Sequence, residues 1–202
     1  MLKQKKDRLV LGITGNIGSG KSSVASMFKA KDSQLIDADR LGHELLSIGC
    51  GVYKKIIKSF GKGILKANKE IDRVKLGAIV FARSQALAKL NSIVHPVLIR
   101  EIKRLIRNSN KRVIILDAAL IIEAGLKNMV DTLIVVTAKK SQQILRSRKS
   151  SGLKNGQIMK RLKSQISQNK KLSFADFIID NSGSIGETRK QVLEIRRKLW
   201  KS

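Results

Sequence analysis

Aromatic side chains make up 3% of the 202 residues, and there is one cysteine and one proline. Each scarcity excludes something. With so few rings the core has to be built from Ile, Leu and Val, and a groove that tracks single strands by stacking bases on aromatics has few side chains to draw on. The lone Cys50 has no internal disulfide partner, which predicts a reducing, cytosolic setting. Acidic residues are also few, 15 against 42 Lys and Arg, for a formal net charge of +27. Such a charge draws polyanions non-specifically but does not define a fold. The lysines are spread over many predicted helices, with no basic low-complexity tail and no aromatic RNA-binding motif, so no specific nucleic-acid partner is expected. Long apolar runs are missing too. The longest, Val113 to Leu126, is interrupted by Asp117 and Glu123 and is too short to span a bilayer. Met1 to Arg8 carries charges with no apolar segment behind them, unlike an export signal. What remains is a soluble monomer or weak homo-oligomer with no membrane partner, long enough for one α/β domain with a full core and a lid.

One stretch carries specific chemistry. Gly15-Asn16-Ile17-Gly18-Ser19-Gly20-Lys21-Ser22 fits G-x-x-x-x-G-K-[ST], with Ser23 following. The apolar Leu9–Ile13 precedes it and the helix-compatible Val24–Phe28 follows, which is the strand–loop–helix context a phosphate cradle needs. Glycines let successive backbone N–H groups turn toward phosphate oxygens, and the helix N-terminus adds its positive dipole end. Lys21 then reaches the β- and γ-phosphates, and the Ser22 hydroxyl is placed to ligate Mg²⁺. The pattern predicts binding of a nucleoside triphosphate.

Around this loop the hydrophobic pattern alternates between strands and helices. Strands are expected at Leu9–Ile13, Gln34–Ile36, Arg112–Leu116, Thr132–Val136 and Phe177–Ile179. Helices are expected at Ser22–Lys31, Arg40–Leu46, Val52–Phe60, Asp72–Phe81, Ser84–Arg107, Ser141–Lys149, Asn155–Gln168 and Gly186–Trp200. Asp72, Ser84 and Ser141 read as N-caps. The succession predicts an α/β fold, a parallel five-stranded sheet flanked by helices with right-handed crossovers. The interval after the second strand, about 40–108, holds helices and one turn-rich stretch, and reads as an inserted helical cap. Pro96 falls inside the Ser84–Arg107 pattern and is expected to kink or break it after His95.

The second strand runs into Asp37-Ala38-Asp39. In an extended segment alternate residues point the same way, so both carboxylates are expected at the carboxyl edge of the sheet, where open α/β folds bind ligands. A carboxylate there can accept the proton of an attacking hydroxyl; Asp39 can equally cap the following helix. Between Asp131 and Asp176 there is no acidic residue, while Arg146, Arg148, Lys149, Arg161 and Lys171 are among the eleven basic ones. A charge run is usually a solvated face, but beside a phosphate loop it reads as an anion-clamping lid over about 141–171, with Arg146 the main phosphate contact and Arg161 and Lys171 supporting it. Asp117 at the end of the third strand is a further carboxylate, held as a supporting residue. His43 reads as structural.

Five segments in order resemble one family: Thr14–Ser22, Asp37-Ala38-Asp39, Ile93-Val94-His95-Pro96-Val97-Leu98, Leu120-Ile121-Ile122-Glu123, and Ala175-Asp176-Phe177-Ile178-Ile179-Asp180-Asn181. Together they look like dephospho-coenzyme A kinase, from about Leu9 to Leu199. The resemblance implies ATP and Mg²⁺ as cofactors, and phosphorylation of the ribose 3′-hydroxyl of dephospho-CoA, the last step of coenzyme A biosynthesis. It also implies a core of about 8–39, 111–140 and 172–202, a helical CoA-binding insert of about 40–108, and the lid. Carried over position by position, it assigns Asn16, Ile17, Gly18, Ser19, Gly20, Lys21, Ser22 and Ser23 to the ATP phosphates, with Arg146 reaching them from the lid. Asn181 is assigned to the adenine, unless it only forms an Asn-Ser-Gly turn. Asp39, or else Asp37, is the base; Asp39, His95, Pro96, Leu120, Glu123 and Arg161 lie toward the acceptor, His95 and Glu123 having structural alternatives. Three positions depart from the family's pattern. Asn16 stands where glycine is usual, and asparagine tolerates a left-handed backbone. Ala119 stands for a proline. Ser150 stands where a second lid arginine is common, with Arg148 and Lys149 nearby as substitutes. Other small-molecule kinases and a nucleic-acid-binding NTPase share the loop but not the five segments.

Overall fold

The near-continuous apolar runs become strands buried on both faces. In the computed structural model, which describes residues 8–200, the strands are β1 (Leu9–Thr14), β2 (Ser33–Asp37), β3 (Val113–Asp117), β4 (Thr132–Thr137) and β5 (Phe177–Asp180). They form a parallel sheet in the order β2-β3-β1-β4-β5. Alternate side chains supply two cores. Leu11, Ile13, Ile115, Ile134 and Val136 face α1 (Lys21–Met27) and α9 (Ile185–Leu199), which add Val24, Phe28, Val192 and Ile195. Val10, Ile36, Ile114, Leu116 and Val135 face the opposite way, onto Ile102 of α5 (Ser84–Asn108) and onto Ile121 and Leu126 of the turn after β3. Two of the scarce acids sit at strand starts: Asp131 accepts the Val10 N–H and Asp176 the Leu133 N–H, each at 2.7 Å.

Helix α2 (Ala38–Glu44) packs Ala38 and Leu41 into the sheet core, while α3 (Gly51–Phe60), α4 (Arg73–Val80) and the first half of α5 surround a third core, with Val52, Ile56, Ile64, Ile71, Leu76 and Val80 buried. The expected break at Pro96 does not occur: α5 is continuous from Ser84 to Asn108. Its N-terminal half packs Leu87, Leu90, Val94 and Val97 into the third core, and its C-terminal half packs Leu98, Ile99 and Ile102 into the sheet core. Apolar burial on both sides of Pro96 outweighs the lost helix bond and the ring's clash with the preceding turn, together about 3 kcal/mol.

The basic segment forms α6 (Lys140–Ser151), α7 (Asn155–Ser164) and α8 (Gln168–Leu172). The single helix expected over Asn155–Gln168 is two, because Gln165 is extended and Ser167 caps α8 by accepting the Lys170 N–H. Asp72 caps α4 as expected, accepting from Val74 and Lys75. Ser84 and Ser141 do not cap. They lie inside the first turns of α5 and α6, after Arg83 and Lys139, where a serine hydroxyl is past the cap position.

Leu11 is fully buried on the central strand. Leu11→Ala should cost about 2–5 kcal/mol. Trp200, the sole tryptophan, stacks on Phe28 with ring centroids 6.1 Å apart, so urea unfolding followed by its fluorescence reads the change directly. A midpoint equal to that of the parent protein would contradict a core centred on β1.

Candidate active site

The register of the sheet brings the chemistry together. Asp37 pairs with Asp117, and Asp117 with Ile13 on β1, so three strands end level at one edge. The glycine loop leaves β1 at that edge. Gly18 and Gly20 have φ of 75° and 87°, a left-handed backbone that glycine adopts freely. Asn16 does not share it, so the departure from glycine there needs no backbone tolerance; its buried side chain instead donates to the Ile166 carbonyl at 3.1 Å. Gly18 is also pinned by space. A Cβ there would fall on the Gln143 carbonyl oxygen and 2.6 Å from Ser147 Oγ, both on α6. Gly20 caps α1 with no side-chain acceptor, so the first N–H groups of that helix stay available to an anion.

Lys21 Nζ lies 2.7 Å from Asp39 Oδ2 and 3.3 Å from Asp117 Oδ1. Burial works against its charge, yet the two carboxylates outweigh burial and hold its pKa above the ordinary lysine value. The two acids differ sharply. The Asp117 side chain is 1% exposed and its pKa is raised, chiefly by burial, whereas that of Asp39 is 46% exposed and open to a second reactant. Asp117 Oδ1 has no aligned hydrogen-bond donor, despite its distance from Lys21. Asp37 ends β2 and accepts the Arg40 N–H at 2.9 Å, so it is the cap of α2, and Asp39 sits in the first helical turn. The alternation expected for an extended Asp-Ala-Asp is therefore replaced by a strand-to-helix turn, which aims only Asp39 at Lys21.

From α6, Arg146 reaches the loop. Its Nη2 donates to the Asn181 carbonyl at 2.9 Å, while Nη1 is buried without a protein acceptor, 3.8 Å from where a Cβ on Gly20 would be. Ser19 Oγ, Ser147 Oγ and Asn16 Oδ1 nearby are also buried and unpartnered. A lysine between two acids, an unpartnered guanidinium edge and a left-handed glycine loop thus meet at one sheet edge, an arrangement whose free donors suit an anion.

The family model for dephospho-CoA kinase matches residues 9–187. The chain belongs to the dephospho-CoA kinase family. Dephospho-CoA kinase of Carboxydothermus hydrogenoformans is 40% identical over 195 residues, covering 95% of this chain and 94% of that protein. That of Aquifex aeolicus is 41% identical over 191 residues, covering 94% and 96%. The solved dephospho-CoA kinase from Campylobacter jejuni superposes with a TM-score of 0.65 at 29% identity, over 94% of this chain and 96% of that one.

Against this family's pattern, several expected positions fall elsewhere in the structure. The Asn181 side chain donates to the Ser19 carbonyl at 2.8 Å and accepts from Thr188 Oγ1 at 2.9 Å. It braces the loop from behind, a geometry that does not present its amide to an adenine. Lys171, expected to touch phosphate, is wholly buried and ion-paired to Glu123 at 2.9 Å. Glu123 is thereby engaged inside the protein rather than turned to an acceptor. Arg148 is not the replacement for the arginine missing at Ser150: positions 146 and 150 share a helix face, and 148 lies across the helix, exposed. His95 is half-buried, its pKa lowered by burial with Glu123 opposing. Leu120 is half-buried in the turn after β3, and its carbonyl accepts the Ala124 N–H.

Arg73 is the residue the sequence reading missed. It begins α4 and acts on two other basic side chains: His43, whose pKa is lowered by burial and then by Arg73, and Arg161, lowered by the same two causes. Arg161 also lies over the Phe81 ring at 5.0 Å, so α7 meets the end of α4. Spacing holds no sign of this trio, because α2, α4 and α7 meet only in the tertiary structure.

Gly18 and Gly152 both have positive φ, but only Gly18 faces neighbouring atoms; nothing lies within 4 Å of a Cβ on Gly152. Gly152→Ala should cost only the backbone strain, about 1–3 kcal/mol, and leave nucleotide affinity intact. Gly18→Ala should additionally displace α6 and weaken ATP binding at least tenfold. Calorimetric titration of ATP into both variants checks this; equal affinities would exclude α6 packing as the loop's support.

Proposed function

We propose that this chain transfers the γ-phosphoryl group of ATP to the ribose 3′-hydroxyl of dephospho-CoA. The observation that carries the reading is the Lys21–Asp39 pair at the mouth of the glycine loop. Phosphoryl transfer needs positioning and charge neutralisation more than covalent help. Lys21 supplies the ammonium, kept charged across the neutral range by its acidic neighbours. When phosphates enter, Lys21 turns to their oxygens and Asp39 is freed to accept the acceptor's hydroxyl proton. Asp117 is too buried to meet an acceptor and stays behind to orient Lys21. Arg146 Nη1 is placed to meet the transferring oxygens from the lid.

The donors present fit Mg²⁺. The Ser22 hydroxyl and the Asp117 carboxylate both lie beside Lys21 Nζ, at 3.4 and 3.3 Å, and both are hard oxygen ligands, while no cluster of three or more acidic, His or Cys ligands exists among the described residues. That suits an ion held largely by phosphates and water. Ser22, with Asp117 behind it, would hold the ion, which would neutralise charge on the β- and γ-oxygens.

The acceptor seat is assigned to the insert over about 40–108, and the closing element to the lid over about 141–171. A cavity of about 670 Å³ lined by His43, Ile48, Lys66, Glu70, Asp72 and Arg73 opens beside Asp39's helix; Lys66 and Arg73 give it a basic wall for an acceptor that carries phosphates, with His43 held toward its neutral form by burial and by Arg73. His95 and Leu120 are kept toward the acceptor on the family resemblance alone.

The test is ATP turnover with dephospho-CoA, with single-stranded nucleic acid and with neither, the product identified by mass. A gain of one phosphate on dephospho-CoA is expected; turnover driven by nucleic acid alone would overturn the reading. Lys21→Ala should lower kcat/KM about 10²–10³-fold. Asp39→Asn should lose about 10²–10⁴ in kcat with ATP still bound. Asp37→Ala should instead lose a cap worth about 1 kcal/mol and keep kcat. Wild-type kcat in Asp39→Asn would remove the base assignment.

A further inference from the structure

The Glu123–Lys171 pair lies in neither the phosphate site nor the acceptor wall, yet it closes a circuit around the loop. Lys171 Nζ, fully buried, donates to Glu123 Oε1 at 2.9 Å, to Oε2 at 3.1 Å and to the Ala119 carbonyl at 2.6 Å. The same Ala119 carbonyl accepts from Thr14 Oγ1 at the end of β1. Glu123 Oε1 also accepts the Ile166 N–H at 3.2 Å. The Ile166 carbonyl in turn accepts from Asn16 Nδ2 at 3.1 Å, and Gln165 Oε1 accepts the Ile17 N–H at 3.0 Å. The linker between α7 and α8 is thus held on one side by the Glu123 carboxylate and on the other holds the variable positions of the glycine loop.

We propose that Glu123 and Lys171 are positioning residues for ATP, which lock the lid's exit at Gln165–Ile166 against Asn16–Ile17 and so set the shape of the phosphate loop. Lys171 acts through Glu123, and Glu123 through the Ile166 N–H. Neither touches nucleotide. A buried ion pair is not needed to stabilise the fold: replacing one by apolar residues of similar volume is often neutral, whereas removing one partner leaves an uncompensated charge. Burial lowers the Lys171 pKa, with Glu123 opposing, as expected for an ammonium group that is wholly buried. Asn16 belongs to the same design. The side chain at the position where the family usually has glycine is what the Ile166 carbonyl holds. The inference rests on the loop's being the ATP phosphate site, the reading proposed above.

The stability and positioning roles separate in double variants. E123M/K171M keeps side-chain volume, removes both charges and leaves the Ile166 N–H without an acceptor. E123Q/K171M is also neutral but keeps a carboxamide oxygen at that N–H. Both should melt within a few degrees of the parent protein. E123M/K171M should raise KM for ATP about tenfold and lower kcat, with KM for dephospho-CoA changed less than about threefold, the scale at which outer partners of a site act. E123Q/K171M should recover most of the ATP KM. Amide exchange at Ile17 should quicken in E123M/K171M and return in E123Q/K171M. Unchanged ATP KM and Ile17 exchange in a folded E123M/K171M, or equal defects in both double variants, would overturn the proposal. Direct titration of ATP needs no acceptor, so a parent protein inactive on dephospho-CoA would sink the substrate assignment while these binding and exchange responses still judged the positioning role.

Discussion

Three parallel strands ending level at one sheet edge are the constraint on which the site depends. Because β2, β3 and β1 pair in a register that aligns Asp37, Asp117 and Ile13, the glycine loop, the buried acid and the start of α2 emerge together. Side chains alternate along a strand, so a slip of one residue would turn Asp117 to the other face and break its contact with Lys21. The turn from Asp37 into α2 then uses one acid as a cap and the next as the partner of Lys21. Two carboxylates two residues apart acquire unlike roles because the backbone changes from extended to helical between them.

Around that edge, the remaining elements hold the loop rather than the ligand. Asn181 supports the Ser19 carbonyl from β5, the Gln143 and Ser147 face of α6 closes on Gly18, and the α7–α8 linker carries Asn16 and Ile17. The unpartnered buried atoms, Arg146 Nη1, Ser19 Oγ and Asp117 Oδ1, point to where a polar ligand belongs. The loop is thus held by its neighbours, with the Ile17 N–H bonded to Gln165 while Gly20 leaves the start of α1 without a side-chain cap.

The excess of positive charge is not evenly meaningful. Asp131 and Asp176, which bracket the acid-free segment, are both used at strand starts. Within the segment Arg146 enters the site and Lys171 is buried, while Arg148 and Lys149 stay on the surface. In the same way α5 gives Pro96 a place that local rules would deny it, because it joins two apolar cores at once.

By itself the sequence determined the parallel α/β order, the phosphate loop, the Asp72 cap and the family, since these rest on local periodicity, glycine spacing and ordered motifs. Strand ends agree within one or two residues for the same reason. Tertiary structure alone decided that Asp37 caps, that Asn181 and Glu123 brace, that Lys171 is buried, that α5 runs through Pro96 and that Arg73 meets His43 and Arg161. Each of these depends on which distant side chain fills the next position in space. A polar residue's role follows from the partner it finds when water is excluded, and a linear pattern does not contain that partner.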